Sequence, residues 1–388
     1  MLQKLLLLLV VASWLYWLVA WFLVYAFFRA RPQVDVRFTP PVSILKPVRG
    51  VDAEAYRNFA SFCRQDYPDF ELLFGVADPA DPVVPIIERL QRDFPERRIR
   101  LVVAEASGLN RKISLLHALA GQARSEVLVI SDSDMRVTPD YLRRVVAPLA
   151  DARVGLVTCP YRAELALTFT ARLETLYIGV TFLPSVLVAR KFLDMRFAMG
   201  ATGVLRRRDL ERMGGFAVMA DYLADDYQLG VRVADLGQRV LLSQYIVVTV
   251  LGATTFREQW AREVRWARCS RVSRPREYPG LLLSFTIPLA ILLLVASGLA
   301  PLGWQVLIIS LILRWLMAWS VAGITGDHES LRWLIWLPMR DMLTALVWVA
   351  GGLGRRVAWR GEEFALQPDG RLAALSPTRV PLTEERGA

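Results

Sequence analysis

The sequence predicts an α/β domain with a mostly parallel sheet, held between transmembrane helices at its two ends. Three observations carry this. Short apolar strand-like runs alternate with helical patterns between residues 38 and 255, an uncharged run of 24 residues opens the chain, and long apolar stretches return after residue 280. Strand and helix alternating at this spacing favour a parallel sheet covered by helices. Of the 388 residues, 54% are hydrophobic, above the soluble norm of about 45–50%, and the excess sits in those few runs.

The opening run is Leu5–Phe28. At 1.5 Å per residue it extends ~36 Å, enough for a hydrocarbon core of ~30 Å. It is longer than the apolar part of a secretory leader, and no small-x-small cleavage site follows. An anchor over residues 1–29 is therefore expected, with interfacial character from Trp14, Tyr16, Trp17 and Trp21. Arg29, Arg31 and Arg37 follow the run, whereas Lys4 alone precedes it. That asymmetry puts the next domain in the cytoplasm.

That domain, residues 30–255, carries strand-like runs at Val42–Leu45, Leu72–Val76, Arg98–Val103 and Val127–Ile130, with helical patterns at Val84–Arg92 and Lys112–Ala123. Gly155–Cys159 and Val204–Leu205 add strands. Asp225–Leu236 adds a helix stopped by Gly237. Thr168–Phe192 has two readings, an interfacial segment facing an acceptor or a core helix. Its apolar part, Thr175–Ala189, is too short to span and contains Pro184.

Residues 256–276 form a basic amphipathic pattern leading into a membrane region, 277–354. Stretches 281–299 and 302–322 predict a transmembrane hairpin turned by Pro301 and Gly303, with one charge, Arg314, expected to face protein or snorkel. Leu331–Leu353 holds Pro338, Arg340 and Asp341 at its middle. If it spanned, Arg355, Arg356 and Arg360 would lie outside, against the charge rule. A re-entrant or interfacial pair with Arg340 matched to an acid resolves the conflict. The polar tail, 355–388, is expected to pack on the cytoplasmic face or to be partly disordered.

Composition narrows the partners. Net charge is +10, from 47 Lys+Arg against 37 Asp+Glu. The arginines bunch beside apolar runs, which favours anionic lipid and phosphate and speaks against nucleic acid. Cys63, Cys159 and Cys269 are too few and too scattered for a disulfide framework or metal cluster. With only His117 and His328 present, acid–base chemistry falls to carboxylates.

Three acidic sites and one basic helix carry the candidate chemistry. Asp132-Ser-Asp134 follows the Val127–Ile130 run, and ligands in open α/β sheets bind beyond the carboxyl ends of strands. Two acids there suit a hard divalent cation that neutralises a diphosphate, although loop acids are often merely solvated. Asp78 ends the Leu72–Val76 strand. It reads as a uridine-contacting carboxylate or as a simple Asp-Pro turn. Asp225-Asp226 opens a helix, where the dipole alone favours acids. A carboxylate there also suits a general base that deprotonates an attacking hydroxyl, and Asp226 is assigned that role. In the basic helix, Arg262 and Arg265 share a face. Their forks suit diphosphate oxygens, and Trp260 and Trp266 suit stacking on a sugar or seating at the membrane interface. Lys46 ends the first strand, and Lys112 opens a helix within reach of a phosphate, a position where lysines are more often solvated.

The order Asp78, Asp132-Ser-Asp134, Asp226, Arg262-x-x-Arg265-Trp266 between membrane segments resembles the ceramide glucosyltransferase family, glycosyltransferase family 21, within the membrane GT-A transferases. Ser43–Pro47, Gly50-Val-Asp52, Asp66-Tyr-Pro68, Lys112-Ile, Gly155–Val157, Gly214-Gly215, Arg340 and Trp359-Arg360 also match. The resemblance covers nearly the whole chain. It implies a GT-A, Rossmann-like fold, a UDP-sugar donor, Mg2+ or Mn2+, a membrane-lipid acceptor and inversion at the anomeric carbon. It places Asp78 near uridine, Asp132 and Asp134 at the metal and diphosphate, and Asp226 as base. Arg262, Arg265 and Trp266 would close over diphosphate and acceptor. Lys46 and Lys112 are assigned to the nucleotide-sugar from their own positions, at a strand end and a helix start. The second acid, Asp134, departs from eukaryotic members, which often carry glycine there. It matches bacterial members, hence an expected bacterial inner membrane. Ceramide with UDP-glucose is the first expectation. A hopanoid with UDP-N-acetylglucosamine is the alternative. A processive polysaccharide synthase would need more spanning helices and has glutamine where Arg262 stands, and a nucleotide-sugar-binding scaffold would not need its base.

Overall fold

Four parallel strands build the framework that carries the acids. They are β1 (Val42–Pro47), β2 (Phe70–Val76), β3 (Arg98–Val103) and β4 (Val127–Ser131), in spatial order β3-β2-β1-β4. The computed structural model describes residues 1–30, 35, 37–105, 108–359 and 362–375. Arg31, Arg360, Gly361 and the last part of the tail, 376–388, lie outside the described residues. Every residue of β1, β2 and β4 is buried, as in sheets covered on both faces. Alternate residues divide between the faces. Ile44, Phe74 and Val129 pack with Phe59, Ile87 and Leu90, whereas Leu45, Leu73 and Leu128 pack with Ile113, Leu116 and Val233.

Beyond β4 the sheet changes direction. β5 (Met135–Arg136), β6 (Val154–Thr158), β7 (Tyr161–Ala166), β8 (Thr202–Arg206), β9 (Arg239–Leu242) and β10 (Val247–Gly252) follow in the chain. β8 lies antiparallel between β4 and β6, and β9 is parallel to β6. β5, β10 and β7 form a separate small sheet. β5 begins one residue after Asp134, and the Val250 N–H donates to the Asp134 carbonyl at 3.0 Å. A strand more than a hundred residues away therefore fixes the acidic loop.

The Lys112 helix, Arg111–Gln122, is fixed by its cap. Buried Asn110 accepts from the Ile113 N–H at 3.2 Å and donates from Nδ2 to the Tyr222 carbonyl at 2.9 Å. It thereby ties Lys112 to the segment before Asp225. Asn110→Ala is expected to cost about 2 kcal/mol, the lost cap plus an orphaned carbonyl. Chemical denaturation in detergent measures it.

Among the described residues, four helices are long and apolar enough to cross a membrane: Leu2–Arg29, Phe169–Phe192, Pro301–Thr325 and His328–Gly352. The Phe169–Phe192 helix corrects the expectation drawn from its shorter apolar part. It runs unbroken for 24 residues, with a π-helical turn at Ile178–Phe182 just before Pro184. The wide turn falls where proline removes a ladder donor. Most of this helix is buried in protein, as in its core-helix reading. The first arm of the expected hairpin is also different. A 3-10 segment, Tyr278–Ser284, meets the Thr286–Ala296 helix at a 75° bend, so this arm is broken whereas Pro301–Thr325 is continuous.

Two buried arginines of this region are paired. Arg314 faces protein. It donates to both Asp341 oxygens at 3.0 and 3.2 Å and to Thr181 at 2.7 Å, over the Trp17 ring at 3.9 Å. Arg340 donates to both oxygens of Glu263 at 2.8 and 2.7 Å. The His328–Gly352 helix has both ends against the α/β domain and its basic helix. Arg162 of β7 donates to the Gly326 carbonyl at 2.7 Å, and Arg271 donates to the carbonyls of Gly352 and Gly354.

The first part of the tail is ordered. β11 (Arg356–Trp359), β12 (Glu362–Leu366) and β13 (Leu372–Ala374) form an antiparallel sheet whose Val357, Phe364, Leu366 and Leu372 bury Leu223. The Leu372 N–H donates to the Asp221 carbonyl at 2.7 Å. These strands are too short and too charged for the sequence pattern to reveal them.

Candidate active site

One lysine bridges two of the acids. Lys112 Nζ lies 2.7 Å from Asp132 Oδ1 and 3.4 Å from Asp225 Oδ2. Burial alone would lower its pKa, but Asp132 and Asp225, with Asp226, outweigh burial and hold it above the usual lysine range. Asp132 arrives from the end of β4, Lys112 from the first turn of its helix, and Asp225 and Asp226 from the first turn of Asp225–Asp235. Three elements separated in sequence thus meet beyond the carboxyl end of the sheet, where open α/β folds bind ligands.

Asp226 forms the wall of the adjacent pocket, together with Lys112, Met199, Gly200, Gly203 and Met219. Its Oδ1 accepts from the Tyr227 N–H at 2.7 Å. A Cβ added to Gly200 would lie 3.3 Å from its Oδ2, so the glycine keeps that oxygen open. Burial, with the neighbouring charge of Asp225, raises its pKa to about 6. A carboxylate at that value is a usable base near neutral pH.

Asp134 accepts from the Thr249 hydroxyl of β10 at 2.7 Å. Burial, then the charge of Asp132, pushes its pKa up to about 6. Ser133, between the two acids, donates to Asp52 at 2.5 Å. The two aspartates offer hard oxygen donors, and crowding of negative charge at Asp134 is what a bound dication would relieve. Among the described residues no three acids, histidines or cysteines gather as a complete cation site. A pair of aspartates is the kind of site where a Mg2+ or Mn2+ ion takes one or two protein carboxylates and fills its shell with substrate phosphates and water. Asp134 and Asp132 are the residues that would hold it. Asp134→Ala is expected to weaken nucleotide-sugar binding at least tenfold, the ~1.4 kcal/mol scale of one lost charge-assisted contact, and to blunt its response to Mn2+. Calorimetric titration with and without the ion checks this.

Other expected residues sit differently. Lys46 is fully buried, and its ammonium is directed to Ser131 Oγ at 3.2 Å and the Asp132 carbonyl at 2.8 Å, over the Phe62 ring. Burial pushes its pKa down to about 7 against the pull of Asp132, Asp134 and Asp52. It braces the acidic loop from behind. Asp78 is exposed and accepts from the Ala80 N–H at 2.8 Å, the turn contact of its simpler reading. Among the described residues no hydrogen bond or ion pair joins it to the acid cluster. Arg262 is engaged by both oxygens of buried Glu174 and also lies over the Trp266 ring at 5.9 Å. Arg265 lies over the Trp359 ring of β11 at 5.7 Å. The helix bearing them, Phe256–Ser273, opens with a Thr255–Glu258 capping box and reaches the acid helix where the Tyr227 hydroxyl donates to the Ser273 carbonyl at 3.0 Å.

Sequence reasoning missed Thr249, Glu174 and the partnership of Asp225 with Lys112. None has a local signal, because each partner lies far along the chain. Asp52 had one, in Gly50-Val-Asp52, without a stated role.

Comparison with known proteins places this arrangement. Residues 5–372 match the model for Glycosyl transferase family 21. Ceramide glucosyltransferase 1 of Caenorhabditis elegans is 25% identical over 364 residues, covering 90% of this chain and 76% of that protein. Beta-monoglucosyldiacylglycerol synthase of Synechocystis is 25% identical over 238 residues, covering 59% and 47%. Among solved structures, a mannosyltransferase of Pyrobaculum calidifontis in complex with GDP-Man and Mn2+ superposes with a TM-score of 0.55 at 19% identity, covering 91% of this chain and 98% of that one. That likeness supports the GT-A fold. With a family match along nearly its whole length, the chain belongs to glycosyl transferase family 21.

Proposed function

We propose that this glycosyltransferase moves glucose from UDP-glucose to the primary hydroxyl of ceramide, with inversion at the anomeric carbon. The observation that carries the reading is the Lys112 bridge. It joins the diphosphate-side acid Asp132 to Asp225, and Asp226 lines the small pocket beside the same lysine, so that the donor side and the base meet at Lys112. Asp132 and Asp134 would bind the donor diphosphate with Mg2+ or Mn2+, which when bound supplies charge neutralisation for the leaving UDP. Lys112 lies beside the same charge. Asp226 takes the proton of the lipid hydroxyl as its oxygen attacks C1 and UDP departs from the opposite face, which is why the sugar inverts. Asp78 contacts uridine, and Arg265 and Trp266 cover the site from the basic helix, with Arg262 held ready by Glu174.

The lipid acceptor is supported by the names of two relatives and by the long apolar helices of the chain. In this reading residues 1–29 anchor the enzyme, residues 30–255 work on the cytoplasmic face, and the bent Tyr278–Ala296 arm and Pro301–Thr325 form the hairpin. The His328–Gly352 helix lies at the interface, since both its ends touch the α/β domain side. The test is to incubate the protein in membranes with UDP-glucose, UDP-N-acetylglucosamine or GDP-mannose. Ceramide, diacylglycerol and a hopanoid are offered together, and the lipid product is identified by mass spectrometry. Glucosylceramide is expected. A glycosylated hopanoid or diacylglycerol would replace the acceptor, and polymer released without added lipid would overturn the reading.

A further inference from the structure

A second cleft lies away from the acids. It opens between the last turns of Leu2–Arg29 and the end of Phe169–Phe192, and is lined by Leu23, Phe27, Leu187, Arg190 and Lys191. Its floor is apolar, with Leu187 buried and Leu23 and Phe27 half-buried. Its rim is cationic. Arg190 and Lys191 are exposed, and the Arg190 guanidinium sits over the Phe27 ring at 5.0 Å. Among the described residues neither has a carboxylate partner, whereas Arg196, a few residues on, is paired with Asp235. Arg29, over the Tyr25 ring at 4.9 Å, adds a third exposed cation nearby.

The depth of the cleft follows from the ends of the first helix. Gln3 donates to the Ala296 carbonyl at the hairpin tip, at 2.9 Å. At the other end Gln244, just before β10, donates to the carbonyls of Phe27 and Ala30. Leu23–Phe27 is therefore the last stretch of an apolar helix before the α/β domain. If that helix crosses the bilayer, this is where hydrocarbon gives way to headgroups. An apolar floor below unpaired cations at that level complements one kind of molecule, an acyl chain carrying a phosphate.

We propose that this cleft binds an anionic phospholipid of the leaflet facing the α/β domain. Its phosphodiester would sit on Arg190 and Lys191 and its acyl chain along Leu23, Phe27 and Leu187. A neutral acceptor such as ceramide has no anion for the two cations, so the site is separate from acceptor binding. Each basic residue at an anionic surface contributes about fivefold in affinity.

The full-length protein in phosphatidylcholine nanodiscs tests this with two diazirine-acyl probes, a phosphatidylglycerol and a phosphatidylcholine. The phosphatidylglycerol probe is expected to label peptides containing Leu23–Phe27 and Leu187–Lys191 preferentially. That preference should fall by roughly twenty-fivefold, two fivefold steps, in the double variant Arg190→Gln, Lys191→Gln. The charge-keeping pair Arg190→Lys, Lys191→Arg should retain it, which separates lost charge from lost folding. Excess unlabelled ceramide should leave labelling unchanged. Equal labelling by both probes, or labelling indifferent to the double substitution, overturns the proposal. So does displacement by ceramide, which would make the cleft part of the acceptor path.

Discussion

Asp226→Asn is expected to lower sugar transfer by roughly 10²–10⁴-fold, the usual contribution of a positioned base, while UDP-sugar binding survives. Asparagine keeps the size of the side chain and its contact with the Tyr227 N–H but cannot accept a proton from an attacking hydroxyl. The pH profile gives an independent reading. Burial and Asp225 raise the Asp226 pKa to about 6, so the protonated, inactive form is favoured below that value and the active carboxylate above it. Wild-type kcat/KM should therefore fall as pH drops through about 6, and the residual rate of the variant should lack that limb. Near-normal turnover by Asp226→Asn would remove the base from Asp226, and an unaltered acid limb would move the titration to another group. Asp134 titrates in the same range, so the comparison is best made with the divalent ion saturating.

Arg340→Ala is expected to destabilise the protein by about 3–5 kcal/mol, because it strands a buried carboxylate. Arg340 is fully buried, and so is its partner Glu263, which also accepts from Gln259 at 2.9 Å. The guanidinium lies over the Tyr177 ring at 4.7 Å, so the pair joins the basic helix, the Phe169–Phe192 helix and the last apolar helix at one point. Removing both charges, as Glu263→Met with Arg340→Met, should recover most of the loss, since an apolar pair leaves nothing unpaired. Thermal unfolding in detergent measures both variants. A single variant as stable as the parent would mean that water reaches Glu263. The double variant separates stability from activity: Arg262, the residue before Glu263, should still meet Glu174, and transfer should be largely retained.

The acids at strand ends were legible because a strand end is a local event. Val127–Ser131 is apolar, it stops, and Asp132 and Asp134 follow. The same logic placed Asp78, which stands exposed at the end of its strand in the turn that the Asp-Pro pair favours. Lys46 was legible as a residue at a strand end but not as a buried one. Its direction depends on Phe62 and on the loop after β4. Arg262 carried its motif in plain view, while its partner Glu174 lies on a helix 88 residues earlier.

By itself the sequence determined the alternation of strands and helices, the apolar first helix, the acids and their order, and the need for an acid opposite Arg340. Period, length and charge sign are properties of a chain segment and survive without its neighbours. Only the tertiary structure decided that Lys112 links Asp132 to Asp225, that β10 holds Asp134, that Glu263 is the acid meeting Arg340, and that the tail folds back over Leu223. It also decided that the apolar arm after residue 277 is bent, whereas the Phe169–Phe192 helix is unbroken. The reason is the same in each case. These contacts join residues distant in sequence, and their energy exists only once packing has brought both partners out of water.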